Sequence, residues 1–213
     1  MTLIAPSMLA ADFLHLEKDV ELVNKHADIF HLDIMDGTFV PNISYGFPIV
    51  EAIAKIATKP LDAHLMIVHP EKYVDRFAKV GVQMLSFHLN AVDNAGQVLA
   101  QIRAAGMSPG LAINPDIPVE KLFPYLDQCD YVVLMSVFAG FGGQKFIEAT
   151  YNRVETLKAE IERQGVECLI QVDGGVSAAN SAKLAELGAD ILVAGSAVFK
   201  ADDPQAVIAE MKA

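Results

Sequence analysis

Ile29-Phe30-His31-Leu32-Asp33 reads as a buried β-strand: three of its five residues are large and apolar, and His31 and Asp33, spaced i and i+2, leave one face of it together. Similar apolar runs recur along the chain at Leu3–Ser7, Leu61–Met66, Met84–His88, Ser108–Ile113, Tyr131–Met135, Cys168–Val172 and Ile191–Ala194. Most are apolar throughout, as strands covered on both faces should be. Helix-period segments separate them. Asn152 to Gln164, for example, carries Arg153, Glu155, Lys158, Glu160 and Glu162 at surface spacing. Gly81, Gly106, Gly165 and Gly188 each fall between a helical run and the next strand, where a left-handed helix cap is needed.

Strands alternating with helices are the mark of parallel βαβ construction. Eight strand–helix pairs favour a closed (β/α)8 TIM barrel, an α/β fold, over an open doubly wound sheet. No linker, charge block or low-complexity tract interrupts residues 1–213, so one catalytic domain is expected. At 53% hydrophobic residues the chain can bury a large core.

A net charge of −11 without a basic run argues against nucleic acid and anionic membranes as partners, because both need clustered Lys and Arg. Cys129 and Cys168 lack CxxC spacing and suit a reducing compartment. Met1 to Ala11 is apolar but has neither a basic start nor a long apolar core, so a cytoplasmic location is expected and the Asn42-Ile43-Ser44 sequon reads as chance.

His31, Asp33, His64 and Asp173 all stand at or near the C-terminal ends of strand candidates, where barrels place their catalytic groups. Taken singly, the histidines read as core residues and the aspartates as caps. Taken together they are an N2O2 set for one divalent ion per chain, of the Zn²⁺, Fe²⁺, Co²⁺ or Mn²⁺ type. A metal beside carboxylates suits proton abstraction next to a carbonyl. Inversion of a stereocentre needs two such groups, and Asp33 and Asp173, from distant strands, can flank a planar intermediate. That arrangement predicts two-base epimerisation.

Met8, Met35, Met66 and Met135 lie at or just past strand ends. They read equally as core filling or as a water-excluding cap on the site. Three glycine-bearing loops follow late strands: Gly140-Phe141-Gly142-Gly143-Gln144, Gly174-Gly175 and Gly195-Ser196. Backbone N–H groups from such loops bind phosphate without Lys or Arg, and barrels often hold phosphate after strands seven and eight. Lys145 reads as a solvated side chain.

The motifs Ala5-Pro6-Ser7, His31-Leu32-Asp33-Ile34-Met35-Asp36-Gly37, Phe39-Val40-Pro41-Asn42, Leu61-Asp62-Ala63-His64-Leu65-Met66, Gly140 to Gln144, Val172-Asp173-Gly174-Gly175 and Val193-Ala194-Gly195-Ser196 occur in order. From near residue 4 to near residue 200, the chain closely resembles the ribulose-phosphate 3-epimerase family. That resemblance implies a TIM barrel interconverting D-ribulose 5-phosphate and D-xylulose 5-phosphate in the pentose phosphate pathway. It implies a divalent metal on His31, Asp33, His64 and Asp173, with Asp33 and Asp173 as acid and base. It also implies that Ser7 and His64 contact the pentulose 5-phosphate, that Gly140, Phe141, Gly142, Gly143, Gly174, Gly175, Gly195 and Ser196 surround its phosphate, and that the four methionines cap the site. Related barrels commonly assemble, so a homo-oligomer is expected.

Two positions depart from the family pattern. Phe138-Ala139 stands where Asn-Pro is usual, and loss of the proline is expected to loosen the loop. Asn90 replaces a Glu two residues after His88, so a charged neighbour is expected to be missing. Within the same chemistry the rival is a D-allulose 6-phosphate 3-epimerase. Gly174-Gly175-Val176 and Gly195-Ser196-Ala197-Val198-Phe199 look more like the pentulose group. A metal-free phosphate-binding barrel, whether lyase, synthase or sugar-phosphate binding protein, leaves the second histidine and the paired aspartates without a role.

Overall fold

A computed structural model describes residues 2–212; Met1 and Ala213, the ends of the expected 1–213 domain, lie outside them. Eight strands form the centre: β1 (Leu3–Pro6), β2 (Phe30–Met35), β3 (Leu61–Met66), β4 (Met84–His88), β5 (Ser108–Ile113), β6 (Tyr131–Met135), β7 (Leu169–Asp173) and β8 (Ile191–Ala194). All neighbours pair in parallel, in the order β1-β8-β7-β6-β5-β4-β3-β2. One parallel bridge, Ser7 to His31, spans the seam between β1 and β2, and the strands make a nearly closed barrel. β2 runs two residues past the expected end, so His31 and Asp33 lie within the strand and not at its tip. Likewise His64 is followed by Leu65 and Met66 in β3, whereas Asp173 is the last residue of β7.

The outer ring comprises α1 (Leu16–His26), α2 (Phe47–Ala54), α3 (Val74–Val80), α4 (Ala95–Ala104), α5 (Thr150–Gln164), α6 (Ala178–Glu186), α7 (Ser196–Phe199) and α8 (Pro204–Lys212). The expected strand–helix repeat fails once. Between β5 and β6 the chain makes two short 3-10 turns, Val119–Lys121 and Phe123–Tyr125, in place of an α-helix. Pro115, Pro118 and Pro124 explain the difference, since each removes a donor and obstructs the preceding helical turn. The four interhelical glycines behave as expected: Gly81, Gly106, Gly165 and Gly188 all have positive φ. Among the described residues, no helix is long and apolar enough to cross a membrane.

The two-residue strand period sorts the side chains into two interiors. Phe30, Leu32 and Ile34 of β2, Leu61, Ala63 and Leu65 of β3, and Ile170 and Val172 of β7 point outward into the core shared with Val20, Val23, Ile53 and Leu157 of the helices. Each large side chain buried there contributes about 1.5–3 kcal/mol. The alternate positions face the barrel axis and hold the fully buried polar residues His31, Asp62, His64, Ser86, His88 and Gln171. An apolar outer core thus fixes strands whose other face is free to carry chemistry.

Gly110 of β5 makes room for one of these inward residues. A methyl at Gly110 would collide with the Tyr131 ring and stand 2.8 Å from the Ser86 Cβ. Gly110→Ala is therefore expected to destabilise the protein by about 1–3 kcal/mol, the usual cost of overpacking. Urea unfolding measures it, and an unchanged midpoint and slope would show that Tyr131 moves aside freely.

Candidate active site

His31 and Asp33 on β2, His64 on β3 and Asp173 on β7 converge at the C-terminal end of the barrel. One donor atom from each lies within 4.8 Å of all the others. His31 Nε2 is 3.4 Å from Asp33 Oδ1 and 3.5 Å from Asp173 Oδ2, and His64 Nδ1 is 3.4 Å from each of the same two oxygens. Donor atoms about 2.1 Å from one tetrahedral ion would be about 3.4 Å apart. Both nitrogens are buried and, among the described residues, have no hydrogen-bond partner. Unsatisfied imidazole nitrogens aimed at a pair of carboxylate oxygens fit a cation better than they fit each other, and the set fits a divalent metal.

The other ring nitrogen of each histidine is held from behind. His31 Nδ1 lies 2.8 Å from Asp62 Oδ2, and Asp62 also accepts from Tyr131 Oη at 2.7 Å and Gln171 Nε2 at 2.7 Å. Three donors on one carboxylate offset much of its cost of burial, and the Asp62 bond leaves His31 Nε2 with its lone pair directed inward. His64 Nε2 lies 3.0 Å from His88 Nε2. Asp62, Tyr131, Gln171 and His88 come from β3, β6, β7 and β4. Inward strand parity was the signal that could have singled them out. Asn90 lies exposed on the turn after β4, and among the described residues His88 Nδ1 has no hydrogen-bond partner.

Above the cluster opens a cavity of about 590 Å³ lined by Ser7, Asp33, Asp173 and all three glycine loops. His31 and His64 lie beneath its floor, fully buried, so His64 does not line the space in which it was expected to meet substrate. Ser7 Oγ donates to Asp33 Oδ2 at 2.5 Å. The loops meet closely: a Cβ on Gly143 would stand 3.6 Å from Ser196 Oγ, and one on Gly175 would fall 2.6 Å from the Phe146 nitrogen. With φ of 63°, Gly175 is a position only glycine fills without strain.

Met35, Met66 and Met135 line the cavity, but Met8 does not. After Ser7 the chain enters a 3-10 turn (Met8–Ala10) that aims Met8 into the outer core and presents Leu9 to the cavity instead. Around Ala139 the loop is tethered by hydrogen bonds. The Ala139 N–H, which a proline would lack, donates to Asn114 Oδ1 at 3.1 Å; Asn42 Nδ2 holds the Gly140 carbonyl, and Gln144 Nε2 holds those of Phe138 and Phe141.

Electrostatics in the metal-free cluster follow from these distances. Burial opposes charge on His31, but Asp33 and Asp62 outweigh it and raise its pKa well above the ordinary imidazole value. Burial likewise opposes charge on His64, and the facing Asp173 and Asp33 raise its pKa. Both aspartates resist ionisation through burial, and Asp173 also through Asp33, yet the two imidazoles hold their pKa values below the usual carboxylate range. His88 is held well below the imidazole range by burial and by His64, and is neutral.

Fold and site together define a (β/α)8 barrel with a buried two-histidine, two-aspartate cluster that could hold a metal ion toward the C-terminal end of its strands. Residues 3–199 match the model of the Ribulose-phosphate 3 epimerase family. The chain is 41% identical to the ribulose-phosphate 3-epimerase of Bacillus subtilis, over 100% of this chain and 99% of that protein. It is 43% identical to that of Synechocystis, over 98% and 92%. The solved structure of KGPDC from Streptococcus mutans shares the fold, with a TM-score of 0.74 at 13% identity over 100% of this chain and 96% of that one. The protein belongs to the ribulose-phosphate 3-epimerase family.

Raised imidazole pKa values carry a stability consequence. In the metal-free protein the His31 and His64 pairs contribute in full below about pH 6.5, the unfolded value, and are lost as pH rises through the higher folded values. A bound cation replaces those protons and stabilises by mass action. Calorimetry of metal-stripped protein should therefore show a melting temperature that falls from pH 6.5 to 9, with saturating Zn²⁺ abolishing the fall. An equal fall with and without Zn²⁺ would place its origin elsewhere.

Proposed function

We propose that the protein interconverts D-ribulose 5-phosphate and D-xylulose 5-phosphate by inverting C3, with Asp33 and Asp173 as the two proton-transfer groups. One observation carries the reading: two buried carboxylates from β2 and β7 enter one cavity while sharing the same pair of imidazoles. The family and its named relatives supply the substrate.

One aspartate removes the C3 proton from one face of the sugar. The C–H electron pair becomes the C2–C3 double bond of an enediolate as the C2 carbonyl takes the negative charge. The second aspartate, protonated, returns a proton to C3 from the opposite face, which inverts the centre and leaves the two groups with exchanged protonation states. His31, Asp33, His64 and Asp173 would hold a divalent cation, which when bound would supply positive charge to stabilise the enediolate. Zn²⁺, Fe²⁺, Co²⁺ and Mn²⁺ all suit this donor set. Ser7 steadies the Asp33 carboxylate through its second oxygen. Leu9, Met35, Met66 and Met135 give the cavity apolar walls that keep water from the intermediate. Gly143, Gly174, Gly175, Gly195 and Ser196 let backbone approach the phosphate closely from three loops, without an arginine.

Turnover in D₂O should place deuterium at C3 of the product, read by proton NMR. Absence of both label and xylulose 5-phosphate would remove the two-base reading, and faster turnover of D-allulose 6-phosphate in a parallel assay would move the substrate to a hexulose phosphate. Asp173→Asn should lower kcat by at least about 10²-fold in both directions, the lower bound for losing a general acid or base. Near-native activity would exclude its role.

A further inference from the structure

His88 takes no part in the proposed proton transfers, yet it is fully buried at the end of β4 against a metal-binding histidine. Its ring meets that of His64 edge to edge, with centroids 5.0 Å apart and planes 22° apart, and Phe39 packs on it at 5.0 Å. His64 Nε2 and His88 Nε2 are 3.0 Å apart, so they share a single hydrogen. His64 turns Nδ1 toward the shared oxygens of Asp33 and Asp173. A ligating Nδ1 must offer its lone pair, and the neutral ring must then carry its hydrogen on Nε2. That hydrogen requires an acceptor, which only a His88 protonated at Nδ1 provides.

We propose that His88 is a positioning residue for the metal centre: its Nε2 accepts the His64 Nε2–H, fixing the tautomer and ring plane that direct His64 Nδ1 to the ion. The inference rests on reading the cluster as a metal site. His31 receives the same service from a carboxylate, Asp62. A second supporting carboxylate would put a fourth buried anion beside Asp33, Asp62 and Asp173, against one divalent cation. A neutral imidazole supplies the acceptor without that charge.

Zn²⁺ binding to metal-stripped protein, measured by competition with a chromophoric chelator, separates the two variants that matter. His88→Phe keeps a flat ring against His64 and Phe39 but has no acceptor, and should weaken Zn²⁺ binding about 10- to 100-fold. His88→Gln restores an acceptor oxygen and should recover affinity to within about threefold of wild type, while the metal-free melting temperatures of the two variants agree. A Phe variant that binds like wild type, or a Gln variant as weak as Phe, overturns the proposal. A wild-type protein that takes no ion overturns the metal reading along with it. In wild-type holoprotein, long-range ¹H–¹⁵N spectra should find the His64 hydrogen on Nε2 and the His88 hydrogen on Nδ1, independently of how the variants fold. A His64 protonated at Nδ1 overturns the proposal.

Discussion

Three carboxylates, Asp33, Asp62 and Asp173, are buried in a barrel whose walls are otherwise largely apolar, and the need to compensate their charge organises everything around them. An uncompensated buried carboxylate costs several kcal/mol. Asp62 is satisfied entirely by protein donors on three other strands: the imidazole of His31, the phenol of Tyr131 and the amide of Gln171. Asp33 receives one hydroxyl and otherwise faces histidine nitrogens that, among the described residues, have no hydrogen-bond partner of their own. The first carboxylate is a finished structural element. The other two are left with unmet demand for positive charge, and that demand makes them available to a cation and to protons.

Strand geometry makes this possible at small cost to the fold. Because side chains alternate, every polar group on the axis is matched by apolar neighbours on the outer face, so substitution of the inward layer does not remove the packing that holds the strands. The barrel also closes at its site. Ser7 bridges to His31 across the β1–β2 seam while its hydroxyl grips Asp33, so the contact that completes the ring also orients a carboxylate of the cluster.

Much of this was legible in the sequence because it depends on short-range pattern. Apolar runs located all eight strands within two residues, and i, i+2 spacing placed His31 and Asp33 on one face. What escaped depends on register between distant strands. Nothing adjacent to Asp62 announces that Tyr131, 69 positions away, and Gln171, 109 away, both donate to it. Met8 was misdirected by a three-residue turn, and the β5–β6 helix was cancelled by prolines that outweighed its apolar spacing. At Ala139 the absence of a proline ring also leaves an N–H, and Asn114, distant in sequence, accepts it.

That exchange bears on how the loop over the cavity is held. A proline would stiffen the chain through its own φ angle, at a position set by covalent geometry. Ala139 is instead held by a hydrogen bond to Asn114, whose carbonyl is in turn bound by Arg153 of α5, which also holds the carbonyls of Met135 and Ile117. Among the described residues the half-buried guanidinium has no carboxylate within ion-pair distance, and it spends its donors on three backbone oxygens from the ends of β5 and β6 and the turn between them. Rigidity that the covalent chain lacks is thereby supplied by an outer helix. Exposed Phe138 and Phe141 then sit at the rim of the cavity on a backbone tethered from behind.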